Sequence, residues 1–211
     1  MSLLKKSIFL ILILLIIDQV VKIWVKLNFE IGESVPILGL NWAQIHFTEN
    51  KGAAFGMLIG GDAGKLALSI FRLIAITGLS WYLVKISKQN APKIAIFTIA
   101  LILTGAIGNM IDSAFYGIIF NSPSVGIAEI FPEGGGYASF LHGSVVDMFY
   151  FPLFDVTAPG WFPSNSWWPW HPGSNITFFP YIFNIADSAI TVGVILFILF
   201  RKSFIFNKQD N

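Results

Sequence analysis

The chain has 211 residues, 55% of them hydrophobic and 12% charged, with a mean hydropathy of +0.71 and a formal net charge of +1. Soluble domains carry about 25% charged residues, so this composition excludes an ordinary soluble domain and indicates a membrane protein. The chain has no cysteine, which removes disulfides, thiolate metal sites and a cysteine nucleophile, and no basic patch calls for a nucleic-acid partner.

Lys5 and Lys6 precede an apolar run over 7–25. A basic start before an apolar run is also how a secretory signal peptide begins. This run is too long for a typical signal-peptide core, and Lys26, Leu27 and Asn28 follow it in place of a small-residue cleavage pattern. It therefore reads as a retained first span. Three further runs, 65–84, 94–111 and 180–200, come near the ~20 residues a span requires. Lys85, Lys88 and Lys93 fill the link between the second and third, and Arg201, Lys202 and Lys208 follow the fourth. The stretch 113–180 contains no Lys or Arg. The positive-inside rule then places both termini and the 85–93 link in the cytoplasm, with loops 26–64 and 113–179 outside. The expected fold class is mainly α: a polytopic membrane protein with four transmembrane helices and a small extracytoplasmic β hairpin or sheet region. It is read as one membrane-embedded domain over 1–211.

Within the first outer loop, 35–38 and 40–47 are rich in β-branched and aromatic residues and are broken by Gly39, which predicts a short hairpin. Thr48 to Gly56 follows, with Asn50 and Gly52, and its small residues permit close backbone approach. The second outer loop carries Gly134, Gly135 and Gly136, then Trp161, Trp167, Trp168 and Trp170 among prolines. The tryptophans suit either an aromatic belt at headgroup level or a loop packed on its own rings.

Polar residues inside the runs fall into pairs. Asp18 and Lys22 are four apart on one face of the first span and read as an ion pair supporting the framework. Gly105 and Gly108 offer an edge for close helix packing, and Asn109 and Asp112 lie above one another at the outer end of the third span. Asn184 and Asp187 share a face of the fourth span, with Asp187 roughly 10 Å below its outer end. Asp147, in an apolar stretch of the outer loop, can reach the same depth. Arg72 is the one charge assigned to the inner halves of the runs.

His46, His142 and His171 lie in outer loops without ligand spacing, so no metal or other cofactor is expected. Two carboxylates remain. An unpaired acid in a span is costly, and two acids sharing a site push one pKa up, leaving one as proton donor and the other as base. Asp147 and Asp187 are therefore expected to meet at the outer membrane surface and activate water against an amide carbonyl.

Five segments in order, 18–22, 48–56, 105–112, 145–149 and 183–188, resemble the lipoprotein signal peptidases, the type II signal peptidases of bacteria. The resemblance implies an aspartyl endopeptidase of the bacterial inner membrane, active on the periplasmic side. Its implied substrate is a prolipoprotein already carrying diacylglycerol, held with membrane lipid, and the enzyme would act as a monomer. By motif, Asp147 and Asp187 would be the catalytic pair. Asn50, Gly52, Asn109, Asp112 and Asn184 would contact substrate or the pair, and Asp18 and Lys22 would support the framework. Two departures stand out. The family places arginine directly after the aspartate of the third-span motif, where this chain has Ser113. It also joins that motif to the first catalytic aspartate by a short link, whereas 113–146 intervene here; 114–142 and 155–176 read as insertions forming a lid or a partner surface. Two rival readings stay open from the residues alone: a proton- or ion-coupled transporter using Asp18, Lys22 and Asp187, and a non-catalytic envelope scaffold.

Overall fold

The computed structural model describes residues 2–50, 61–122, 124, 126–161 and 171–205. In chain order the elements are α1 (Leu3–Asn28), β1 (Ser34–Ile37), β2 (Leu40–Asn50), α2 (Gly61–Lys88), α3 (Lys93–Ile111), a π-helical turn (Asp112–Tyr116), α4 (Gly117–Ile119), β3 (Val145–Tyr150), β4 (Phe154–Thr157), β5 (Asn175–Phe178), β6 (Ile182–Phe183) and α5 (Ile185–Leu199).

The helices share an apolar core of Ile11, Leu83, Ile86, Ile96, Ile99 and Leu103, and charged side chains such as Asp18 and Lys22 also turn inward while large apolar ones face out. On α1 the buried residues Ser7, Ile11, Asp18, Lys22, Val25 and Lys26 gather on one face, while Phe9, Leu12, Ile16 and Val20 are exposed. A helix that turns its charges inward and its large apolar side chains outward is built for lipid. Among the described residues, Leu3–Asn28, Ala63–Lys88 and Lys93–Ile119 are long and apolar enough to cross a membrane. The run at 180–200, expected as a fourth span, resolves into a strand end and a 15-residue helix. At 1.5 Å per residue α5 is about 22 Å long, shorter than a hydrocarbon core of ~30 Å. It starts late because Ile182 and Phe183 pair with β3 and Asn184 caps the helix.

The predicted hairpin is present. Leu38 and Gly39 form its two-residue turn with φ of 53° and 76°, the two positive values that a primed turn requires. β3 and β6 extend the hairpin into a four-stranded antiparallel sheet of order β1-β2-β3-β6, while β4 and β5 pair separately. The register sets Thr48 opposite Asp147 and Phe149 opposite Phe183. Val25, Phe29, Phe47, Tyr116, Phe120, Val146 and Met148 pack between this sheet and the end of α1.

Two devices fix the remaining parts. A Cβ at Gly105 would run into the carbonyl of Ala186, and one at Gly108 would lie 2.9 Å from the Ala186 methyl, so α3 and α5 touch backbone to backbone. The end of α3 leaves carbonyls without helical partners. The long segment that follows satisfies them: Gly143 N donates to Ser113 O at 2.8 Å, Ala138 N to Gly117 O at 2.9 Å, Phe131 N to Ile119 O at 2.7 Å and Tyr137 N to Phe120 O at 3.1 Å. The insertion 114–142 is thereby laced onto the helix end.

Candidate active site

Lys22 lies at the centre of a buried polar network. Its ammonium is fully buried, 2.9 Å from Asp18 Oδ2, 2.9 Å from Asp112 Oδ2 and 3.0 Å from Asn109 Oδ1. Three donors meet three acceptors, which is how a charge is tolerated at such depth. The two aspartates then reach outward. Asp18 Oδ1 accepts from the Ala186 amide at 2.9 Å, in the first turn of α5, and so joins α1 to that helix. A carboxylate at a helix N-terminus also meets the positive end of the helix dipole. Asp112 Oδ2 accepts from Val146 N at 3.2 Å and fixes β3 from below, while its Oδ1 accepts from Gln19 Nε2 at 2.9 Å. Gln19 Oε1 in turn accepts from the Tyr116 hydroxyl at 3.2 Å.

From this base two asparagines hold two further carboxylates. Asn109 receives Lys22 at its oxygen, so its amide nitrogen is left to donate to Asp187 Oδ1, at 2.7 Å. Asn184 is the cap of α5. Its Oδ1 accepts from Asp187 N at 2.8 Å, and Asp187 Oδ2 accepts from Asn184 N at 3.3 Å, a reciprocal capping box. The Asn184 oxygen is thereby committed, and its nitrogen points to Asp147 Oδ1 at 2.6 Å. The network thus dictates both amide orientations.

Asp147 and Asp187 are not equivalent. Asp147 is 4% exposed and also takes a hydrogen bond from the Asn50 side chain. Burial pushes its carboxyl up to about 7, and the charge of Asp187 adds to that, against the opposing pull of Asn184, Lys22 and Asn50. Asp187 is half-buried and lines an open cavity of about 440 Å³ with Phe179, Tyr181, Phe183, Ser188, Thr191 and Val192. A carboxyl that holds a proton near neutrality therefore sits beside one that faces an apolar cavity.

Residues 10–202 match the sequence model of signal peptidase (SPase) II. The chain belongs to the signal peptidase II family. It is 46% identical over 191 residues to a lipoprotein signal peptidase of Porphyromonas gingivalis, covering 90% of this chain and 80% of that one. A lipoprotein signal peptidase of Amoebophilus asiaticus is 37% identical over 198 residues, covering 92% and 76%. A solved structure described as a bacterial membrane enzyme, at 2.3 Å resolution, superposes with a TM-score of 0.57 at 26% identity, covering 98% of this chain and 94% of that one. The chain is thus an enzyme of the signal peptidase II type, an aspartic endopeptidase of the bacterial inner membrane that processes prolipoproteins.

The sequence-selected Asp18, Lys22, Asn50, Asn109, Asp112, Asp147, Asn184 and Asp187 all fall in this one network. Gly52 and the rest of 51–56 lie outside the described residues, as do Trp167, Trp168 and Trp170. Gln19, Tyr116 and Ser113 were not selected. Gln19 lies inside the 18–22 segment, one residue past Asp18, and its position there was the available signal. Arg72 requires a correction. Read from the sequence as an inner-half charge, it donates from Nη1 to Ser113 Oγ at 3.0 Å and so belongs to the polar band. Counted along its own run, 65–84, position 72 is nearer the outer end at 65 than the inner end at 84, so it lies in the outer half, where Ser113 at the outer end of α3 can reach it.

Proposed function

We propose that this peptidase removes the signal peptide from diacylglyceryl-modified prolipoproteins at the outer leaflet, with Asp147 and Asp187 activating water. The single observation that supports this best is Asn184, which hydrogen-bonds Asp147 through its side chain and Asp187 through both its side chain and its backbone. One residue thereby sets the spacing of the two acids. Asp187, facing the cavity, takes a proton as water attacks the carbonyl carbon of the scissile peptide. Asp147, holding its proton near pH 7, donates to the carbonyl oxygen. When the resulting gem-diol collapses, the proton on Asp187 passes to the leaving amine of the lipid-bearing cysteine, and Asp147 recovers its own.

The cavity beside Asp187 is walled by Phe179, Tyr181, Phe183 and Val192, which suits an acyl chain or an apolar signal-peptide residue. A substrate tethered in lipid at that depth reacts as though already in place, and positioning of this kind supplies several kcal/mol of a barrier. In this reading four helices lie in the membrane, α5 as a short one, with both termini cytoplasmic and the acids on the periplasmic side; the basic residues at 5–6, 85–93 and 201–202 support that orientation. One domain over 1–211, acting as a monomer, is sufficient for this chemistry.

The test is cleavage of a synthetic diacylglyceryl prolipoprotein by purified enzyme. Asp147→Asn and Asp187→Asn should each abolish signal-peptide release while the protein remains folded. The same peptide without its lipid should lose most of its turnover. Parental rates in either variant remove that residue from the pair, and equal rates with and without lipid remove the tethering argument.

A further inference from the structure

We propose that Arg72 is a substrate-binding residue whose guanidinium grips the carbonyl oxygens of the extended substrate backbone beside the scissile bond. This rests on the reading of Asp147 and Asp187 given above. Arg72 is half-buried on a helix whose adjacent Ile70, Phe71, Leu73 and Ile74 are exposed apolar residues, a costly place for a cation without a purpose. One of its donors is used, by Ser113. Ser113 Oγ itself donates to the Asn109 carbonyl at 3.0 Å, so it turns a lone pair to the arginine and holds it in place.

The carboxylates of Asp187, Asp112 and Asp147 attract Arg72, yet among the described residues it forms an ion pair with none of them. Those acids are engaged elsewhere: Asp112 by Lys22, Gln19 and Val146 N, Asp187 by Asn109 and Asn184, and Asp147 by Asn184 and Asn50. Lys22 has every proton matched, whereas a guanidinium has five N–H groups in a planar fork and this one has a single partner among the described residues. The field of three aspartates repels a phosphate, which leaves neutral carbonyl oxygens as the acceptors that suit the remaining donors. An extended peptide passing between Asp187 and Arg72 presents them in pairs, which a planar fork can take together.

The geometry also sets the test. Position 113, where the family motif carries arginine, lies within hydrogen-bond distance of the Arg72 guanidinium. The exchanged protein Arg72→Ser/Ser113→Arg can therefore return a guanidinium to the same space from the other helix. Steady-state cleavage of a diacylglyceryl prolipoprotein peptide should show KM raised about tenfold in Arg72→Gln, the loss of one or two charge-assisted hydrogen bonds, with kcat less affected. Arg72→Lys, which keeps charge but loses the fork, should fall between, and the exchange should recover most of what Arg72→Ser loses. An ether-linked lipid on the peptide should leave the Arg72 effect unchanged. The proposal is overturned if Arg72→Gln or Arg72→Lys keeps the parental KM, if the exchange does no better than Arg72→Ser at a parental unfolding midpoint, or if the ether lipid removes the effect and so moves the contact to the lipid esters. Should Arg72→Gln not fold, the lysine variant and the exchange carry the test. Asp147→Asn in the same assay separates the two levels. An inactive Asp147→Asn beside unchanged Arg72 variants defeats the arginine proposal alone, whereas parental cleavage by Asp147→Asn defeats the reading beneath it.

Discussion

Asn184 serves two acids with one side chain, and its removal should be felt at both. In Asn184→Ala, Asp147 loses its 2.6 Å donor and Asp187 N loses its cap acceptor. Losing an N-cap costs about 1 kcal/mol of stability, and a misplaced pair costs catalysis in addition. Turnover should fall at least as far as in Asn109→Ala, which leaves the capping box intact; a smaller loss in Asn184→Ala would dissociate the two acids. Proton binding at Asp147 gives a second expectation. Burial pushes its carboxyl up to about 7 from the ordinary 3.8. A raised value means the folded state holds the proton more tightly. Its contribution to stability is therefore complete below about pH 4 and lost as pH rises through about 7. Turnover that needs the protonated form should decline over the same upper range, and the stability decline should be absent from Asp147→Asn. Unfolding midpoints from pH 4 to 8 measure this directly. Both acids were legible in the sequence because an acid in an apolar run demands a partner. Arg72 was legible as well: position 72 is nearer 65 than 84, so its own run already places it in the outer half, and assigning it to the inner half overlooked that spacing.

At the scale of elements, α5 carries Asn184 and Asp187, and its position depends on its contact with α3. Gly105→Ala would drive a methyl into the Ala186 carbonyl and the Ile190 side chain. Backbone cannot yield as a flexible side chain can, so a cost of ~1–3 kcal/mol and a fall in turnover are expected. Gly78→Ala on α2 is the matched control. Nothing lies within 4 Å of the added Cβ there, and the change should be neutral or raise stability slightly. Equal unfolding midpoints for the two variants would contradict backbone-to-backbone packing of α3 and α5. The close-packing edge at Gly105 and Gly108 was readable from spacing, and so was the hairpin, because Gly39 divides two β-rich runs. The start of α5 was not read correctly. Hydropathy merges Ile182 and Phe183 with the helix that follows, and only the strand partner Phe149, far away in sequence, separates them.

Across the whole molecule, the insertion 114–142 also meets the body at a buried cation, besides its backbone hydrogen bonds. Lys26 is fully buried at the end of α1, bonded to Glu49 of β2. The rings of Phe47, Phe120 and Tyr137 stand 5.8, 5.1 and 5.5 Å from its Nζ. Phe120 and Tyr137 belong to the insertion, and the Tyr137 hydroxyl accepts from Ser144 N at 2.7 Å, at the threshold of β3. Composition alone suggested a lid or a partner surface here. The contacts that tie the segment down are backbone donors meeting helix-end carbonyls, which side-chain patterns do not record. The cation offers a way to test how firmly the segment is fastened. Lys26→Met leaves Glu49, with its side chain 6% exposed, as an unpaired acid among rings and should destabilise the fold by ~3–5 kcal/mol. Replacing both partners with apolar residues of similar volume removes the stranded charge as well as the pair. Lys26→Met/Glu49→Leu should therefore regain most of the lost stability in detergent, and with it the cleavage activity that depends on β3 holding Asp147. If the double variant unfolds as early as the single one, the attraction of Lys26 to the three rings, rather than its bond to Glu49, is what fastens the insertion to the body.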